Sequence, residues 1–529
     1  MHVNSGGSTI TDDNARSRQG LDSAMANSSI DRRRFLILAG SGTAAALLAS
    51  SCGNASTSPV EANDPTVARL EQQRRKSGAR IVERQIVAAP TTVDLAGRKI
   101  ATWAYGDTIP GPELRAKVGD ILRVQLTNRL PEPTTIHWHG IAIRNDMDGV
   151  HDLTQPTISP GAVFTYEFAL ANAGTYFFHP HTALQLDRGL YAPLIVEDPN
   201  DPVTADVDQV LVIDDWLDGI DGATPEKKLT DLRQRGGMGG MGGMNEGTPA
   251  SNAGAMSGMS SNLLGGDAGD IAYPLHLING RPPADPATVT AAPRARVRLR
   301  IINAASDTAY RFAVGGHRLT ITHTDGFPIR PVEVDTLLIG MGERYDVIVT
   351  ALSGVWPIVA AAEGKNTIAA GVLRTTDATA SAAPSPDARP SELDGQLLRY
   401  SDLVPAESVT LDARRVDRTH RIDLTGDMMS YTWGIDGKSY PKSSPLNVAD
   451  GERVRLEMRN KSMMWHPIHL HGHSFALSEG GARKDTVNVL PGETRTVELD
   501  ADNPGQWMLH CHNTYHLEQG MATIMSYRR

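Results

Sequence analysis

One alternating pattern is written three times along this chain, and it restricts the fold more than any other feature. Val118-Gly119-Asp120-Ile121-Leu122-Arg123-Val124-Gln125-Leu126-Thr127-Asn128 alternates apolar and polar side chains and closes on Asn. Arg296-Val297-Arg298-Leu299-Arg300-Ile301-Ile302-Asn303 repeats it, and Asp450-Gly451-Glu452-Arg453-Val454-Arg455-Leu456-Glu457-Met458-Arg459-Asn460 does so again. A period of two sends successive side chains to opposite faces, the mark of a half-buried strand. The same strand and ending at three distant places predicts three homologous β-domains.

A second landmark follows each copy. Pro160-Gly161 precedes Phe164-Thr165-Tyr166-Glu167-Phe168, Pro491-Gly492 precedes Arg495-Thr496-Val497-Glu498-Leu499, and Gly342-Glu343-Arg344-Tyr345-Asp346-Val347 stands in the middle. A third landmark separates the copies. Asn172-Ala173-Gly174-Thr175-Tyr176-Phe177-Phe178-His179 matches Asn503-Pro504-Gly505-Gln506-Trp507-Met508-Leu509-His510, whereas the middle copy offers Gly354-Val355-Trp356-Pro357-Ile358-Val359 and no histidine. Histidine chemistry is therefore expected between the first and third domains. At 529 residues the chain has room for roughly three domains of ~100–200 residues. The boundaries expected are a leader over 1–52, a linker over 53–80, domains over 81–200 and 201–375, a linker over 376–398, and a third domain over 399–529.

Composition narrows the class. With 50 Gly and 32 Pro, turns are frequent, as in an all-β chain. A net charge of −10 argues against a nucleic-acid footprint, which needs a basic excess. Two cysteines, Cys52 and Cys511, cannot build a disulfide framework. The leader carries Asp31-Arg32-Arg33-Arg34-Phe35-Leu36, a twin-arginine pattern, and then a small-residue apolar run to Ala49. That run is short against the ~20 residues of a membrane span, so an export signal for a folded protein is expected. Leu48-Ala49-Ser50-Ser51-Cys52 resembles a lipoprotein cleavage site, with Ala49 where Leu is usual. Localisation in the periplasm or cell envelope, with a lipid anchor at Cys52 as the only membrane attachment, and a monomeric state are the corresponding expectations.

Ten of the 17 histidines fall in four short groups. They are His137-Trp138-His139, His179-Pro180-His181, His466-Pro467-Ile468-His469-Leu470-His471-Gly472-His473, and His510-Cys511-His512, with His516 and Met521 beyond. On a strand, residues i and i+2 share a face, so each pair aims two imidazoles at one point. Clustered imidazoles suit several transition metals, and a thiolate with a thioether narrows the choice to copper. A blue-copper centre needs two His, one Cys and a weak axial Met. Cys511, His516 and Met521 supply three of these, and His466 can supply the fourth. If Cys511 points at that copper, its neighbours His510 and His512 point away, toward a second metal group.

These four groups resemble the copper-binding motifs of the multicopper oxidases, the family of laccases and bacterial copper-resistance oxidases, over essentially the whole chain after the leader. The resemblance implies three consecutive cupredoxin-like Greek-key β-sandwich domains, the middle one without copper ligands, and four copper ions. By position, His466, Cys511, His516 and Met521 are implied as type 1 ligands and His137 and His469 as the type 2 pair. His139, His179 and His512 are implied at one type 3 copper, and His181, His471 and His510 at the other. His473 is outside this pattern. Asp148 stands where the family places a proton-relaying carboxylate, though a turn Asp before Gly149 reads equally well. Relatives often carry an acid directly after the second type 1 His; here Leu517 stands there and Glu518 follows. The implied reaction couples one-electron oxidation of a reductant to reduction of O2 to water.

The donor is a separate matter, because one fold hosts many substrates. Among family members, exported actinobacterial and mycobacterial copper-resistance oxidases share the leader and the Asp214-Asp215-Trp216-Leu217-Asp218-Gly219 stretch, which implies Cu(I) as donor. Met238, Met241, Met244, Met256 and Met259 lie in a Gly-rich segment over 236–268, where thioethers would favour Cu(I) unless the methionines are incidental. Met463 and Met464, just before His466, could pass an electron inward or simply pack the core. A laccase-like oxidase of phenols or aromatic amines is the alternative, and a copper-binding electron carrier without turnover is a third.

Overall fold

The computed structural model describes residues 58–238, 259–478 and 481–529. The leader, Cys52, Met241, Met244 and Met256 lie outside the described residues. Among the described residues, no helix is long and apolar enough to cross a membrane.

Each written copy of the alternating pattern becomes a central strand with the same two neighbours. Ile121–Asn128 pairs in parallel with Ile81–Leu95 and antiparallel with Val163–Ala169. Arg296–Asn303 does so with Val207–Trp216 and Arg344–Thr350. Arg453–Asn460 does so with Arg418–Asp427 and Thr494–Asp500. A second sheet accompanies each of these, so the chain is all-β and built from three two-sheet units. The closing asparagine also has one job throughout. The Asn128 amide donates to the carbonyls of Glu132 and Ile158, that of Asn303 to Thr308 and Ile339, and that of Asn460 to Met464 and Val489. A buried amide satisfying two loop carbonyls fixes the loop that follows the strand.

The middle copy departs from the half-buried expectation: all but Arg296 of its strand is buried. Its polar face is covered by the first unit. Arg298 and Arg300 meet the Asp346 carboxylate at 2.6 and 3.1 Å, and the Thr175 hydroxyl donates to the same group at 2.7 Å. Burial alone would raise the Asp346 carboxyl, but the two guanidiniums hold it well below its ordinary range.

Alternation also explains how histidines come to face one point. In His137–His139, Trp138 turns inward and packs on Tyr166, Phe168 and Phe178 with ring centroids 5.0–5.6 Å apart. His137 and His139 must then face the opposite side, toward the third unit.

Candidate metal centre

Two strand pairings assemble the site. His137–His139 lies antiparallel to Gly174–His179 with His137 opposite His179. His466–Leu470 lies antiparallel to Gln506–Cys511 with His469 opposite His510 and Ile468 opposite Cys511. Imidazoles from the first and third units meet in the buried seam between them. Ligand atoms converge within 4.8 Å in His137/His139/His469, His139/His179/His512, His181/His471/His510, and His466/Cys511/His516. Every histidine expected from the sequence is in one of these sets.

The hydrogen bonds say what each set awaits. His137 Nδ1–H donates to the Asp148 carbonyl (3.0 Å) and His469 Nδ1–H to the Asp485 carbonyl (2.9 Å), leaving two bare Nε2 atoms 3.4 Å apart. His471 Nδ1–H donates to Asp148 Oδ2 (2.8 Å) and His510 Nδ1–H to the Cys511 carbonyl (2.9 Å), leaving their Nε2 atoms 3.0 Å apart. His139 Nδ1, His179 Nε2, His181 Nε2 and both His512 ring nitrogens are buried without a partner. Lone pairs facing one another in a dry site repel unless a cation lies between them. Burial and mutual proximity hold His139, His179, His181, His471, His510 and His512 well below ordinary imidazole values, as neutral ligands must be.

The thiol site is arranged in the same way. His466 Nε2–H donates to Ser462 Oγ (2.7 Å) and His516 Nε2–H to Asp270 Oδ2 (3.0 Å). Their Nδ1 atoms therefore point inward, 3.5 and 3.6 Å from Cys511 Sγ. Burial pushes the Cys511 thiol up, so a bound cation is what would make it a thiolate. Met521 is fully buried, and its carbonyl accepts from the Cys511 N–H. Two imidazoles, a thiol and a buried thioether fit copper, and the imidazole sets beside them fit copper too.

Asp148 is the turn residue before Gly149. It caps the 3-10 turn Asn145–Met147, and its buried carboxylate lies against His137 and His471. Glu518 is exposed and lines a cavity of about 390 Å³ together with His151, His179, His181, His510 and His512. Desolvation by the surrounding protein raises its carboxyl, with Arg233 opposing. Met464 is 1% exposed and packs in the hydrophobic core, while Met463 beside it is 79% exposed. Met259 is half-buried against the core, and Met238 ends the helix Pro225–Met238.

Sequence reasoning missed the partners of these histidines. Asp485 is a second buried carboxylate at the cluster, 3.1 Å from His139 Nε2 and 3.4 Å from His469 Nδ1. Burial would raise it, but the Arg344 guanidinium, bonded to both its oxygens at 2.7 Å, holds it well below its ordinary range. The signal was Arg483-Lys484-Asp485, three charges where a strand enters the core, since a buried charge implies a partner. Arg344 and Gly342 bring the middle unit to the cluster. Gly342 has φ +82°, and a Cβ there would stand 2.9 Å from His512 and 3.0 Å from His139. Asp270 and Ser462 carried no comparable signal.

Comparison with known proteins agrees with this geometry. Three sequence profiles described as multicopper oxidase match residues 87–201, 252–378 and 414–528. The chain is 45% identical to Multicopper oxidase MmcO of Mycobacterium tuberculosis, over 95% of this chain and 99% of that one. It is 28% identical to a copper resistance protein A homolog of Pseudomonas syringae pv. tomato, over 83% and 91% of the two chains. The crystal structure of a laccase from Botrytis aclada superposes with a TM-score of 0.68 at 26% identity, covering 85% of this chain and 88% of that one. With a buried thiol–imidazole site joined through one tripeptide to eight further histidines, the chain belongs to the copper-binding multicopper oxidase family, oxidoreductases with O2 as acceptor.

Proposed function

We propose that His466, Cys511, His516 and Met521 hold a type 1 copper and that His137 and His469 hold a type 2 copper. His139, His179 and His512 then hold one type 3 copper, and His181, His471 and His510 the other. When bound, these ions supply stepwise electron storage and the four-electron reduction of O2 to water. The residues do the rest. Cys511 turns its sulfur to His466 and His516 while its neighbours face the cluster, so a few covalent bonds connect the two groups. Asp148 and Asp485 orient opposite halves of the cluster. The cavity beside His179, His181, His510 and His512 suits passage of O2, with Glu518 placed to exchange protons with solvent. Replacing Glu518 by Gln is expected to slow oxygen uptake at neutral pH by about 10²-fold, the low end for a positioned proton donor, with blue absorption unchanged. Equal rates for E518Q and the wild type would remove Glu518 from the proton path.

Cuprous ion is the donor we propose, and one observation carries that choice. His516 is 0% exposed, and its Nε2–H is covered by Asp270, whose Oδ2 also accepts from Tyr431 (2.7 Å). A bulky phenol has no open imidazole edge to stack on, whereas a small soft cation can be met by exposed thioethers such as Met463. Oxygen uptake with Cu(I) and with a dimethoxyphenol separates the two readings. We expect Cu(I) to be favoured in kcat/KM by at least about tenfold, a discrimination of roughly 1.4 kcal/mol, and deletion of residues 239–258 to lower Cu(I) turnover selectively. Preference for the phenol in the intact protein would establish the laccase-like reading instead. Export through the twin-arginine leader and acylation of Cys52 complete the proposal, with mass spectrometry of the mature N-terminus as their test.

A further inference from the structure

The middle unit donates no histidine, yet its closing asparagine sets up a loop just as the other two do. In the third unit, the loop fixed by Asn460 leads into His466; in the middle unit, the loop fixed by Asn303 presents Asp307. Asp215, from the Asp214-Asp215-Trp216 stretch, secures that loop. Its carboxylate accepts from the backbone N–H groups of Ser306 (2.8 Å) and Asp307 (3.1 Å) and from the Thr308 hydroxyl (2.6 Å).

Asp307 is fully buried and reaches across to the third unit. Its Oδ1 accepts from Asn513 Nδ2 (2.7 Å) and from the backbone N–H of Asp270 (3.1 Å). Its Oδ2 accepts from the Ile271 N–H (3.0 Å) and from Lys365 Nζ (2.7 Å), itself buried. The two residues gathered by Oδ1 are the two that hold His516. Asn513 caps the helix Thr514–Glu518, its side chain accepting from the N–H groups of Tyr515 and His516. Asp270 accepts from His516 Nε2–H. Gly269, at φ +140°, permits the approach, because a Cβ there would stand 2.5 Å from Asp307 Oδ2 and 2.7 Å from Lys365 Nζ.

We propose that Asp307, neutralised by Lys365, is a positioning residue for the type 1 centre. It holds the backbone support and the side-chain partner of His516 in one frame, so that His516 Nδ1 faces Cys511 and His466. The inference rests on the reading of those three residues as that centre. A carboxylate surrounded by four donors cannot become an amide without turning an NH2 group against one of them. Asp307→Asn should therefore loosen His516 without touching the histidine cluster.

The test uses copper-loaded wild type, D307N and D307N/K365M, the last removing both charges of the pair. We expect both variants to keep cluster copper. The blue band should lose at least half its intensity, the type 1 electron paramagnetic resonance signal should broaden, and the type 1 reduction potential should rise. In a D270N/D307N variant the shift should fall short of the sum of the D270N and D307N shifts, because Asp307 acts through Asp270 and Asn513. A potential shift that vanishes in D307N/K365M would mean charge acting at a distance, and the inference fails. It fails equally if D307N merely unfolds at a lower temperature with absorption, resonance signal and potential unchanged. A wild type without the blue band overturns the type 1 reading and the inference together; a blue wild type with spectrally unchanged variants overturns the inference alone.

Discussion

Cys511→Ser is expected to lose the intense blue absorption completely, with oxygen uptake falling to background for any reductant. The expectation follows from the position of one sulfur. Cys511 Sγ lies 3.5 and 3.6 Å from the two inward Nδ1 atoms of the thiol site, and the flanking His510 and His512 belong to the cluster. A serine hydroxyl is a poor ligand for copper and offers no polarizable route for an electron, so the two groups become separate. Burying a hydroxyl in place of the thiol costs roughly 1–3 kcal/mol, which a chain of this size tolerates. The variant should thus fold, keep the copper held by its cluster histidines, and lose only the copper of the thiol site. Activity of C511S within about tenfold of wild type would refute the electron route.

Copper-free protein is expected to become steeply unstable as pH falls below about 6.5, the unfolded value of histidine. Eight histidines, His139, His179, His181, His466, His469, His471, His510 and His512, have folded values lowered first of all by burial. Below 6.5 the unfolded chain takes up protons that the folded chain refuses. Stability therefore rises with pH up to that value and is lost as pH drops beneath it. Each such group contributes a slope of roughly 1.4 kcal/mol per pH unit. Bound copper should blunt the effect by stabilising the folded state alone. Urea midpoints of the copper-free protein at pH 7.5, 6.5 and 5.5 measure it. A flat series would show that the imidazoles are not locked neutral in the folded protein.

Much of this was legible without coordinates because it depends on short-range periodicity. Strand alternation predicts that His137 and His139 share a face opposite Trp138, and that Cys511 opposes His510 and His512. The triple repeat of strand and closing Asn predicts three like units, since equivalent side chains meet equivalent loops. The copper chemistry followed from donor types alone. Met464 shows where such reasoning stops. Two adjacent methionines before His466 are alike as letters, and only the packed loop decides that Met463 faces water while Met464 fills the core.

The partners of the clustered histidines lay beyond the sequence for a physical reason. Asp270, Asp485, Arg344 and Asp307 each act across a unit boundary: 246 residues separate Asp270 from His516, 141 separate Arg344 from Asp485, and 206 separate Asp307 from Asn513. No local pattern encodes such pairings, because the burial that makes them necessary exists only once the units have docked. The chain's own letters determined its strands, its histidine-bearing faces and a donor set that suits copper. The docked structure decided which nitrogen of each imidazole is free, which carboxylates lie against it, and how a unit that donates no histidine to the site still reaches it through Arg344, Asp270 and Asp307.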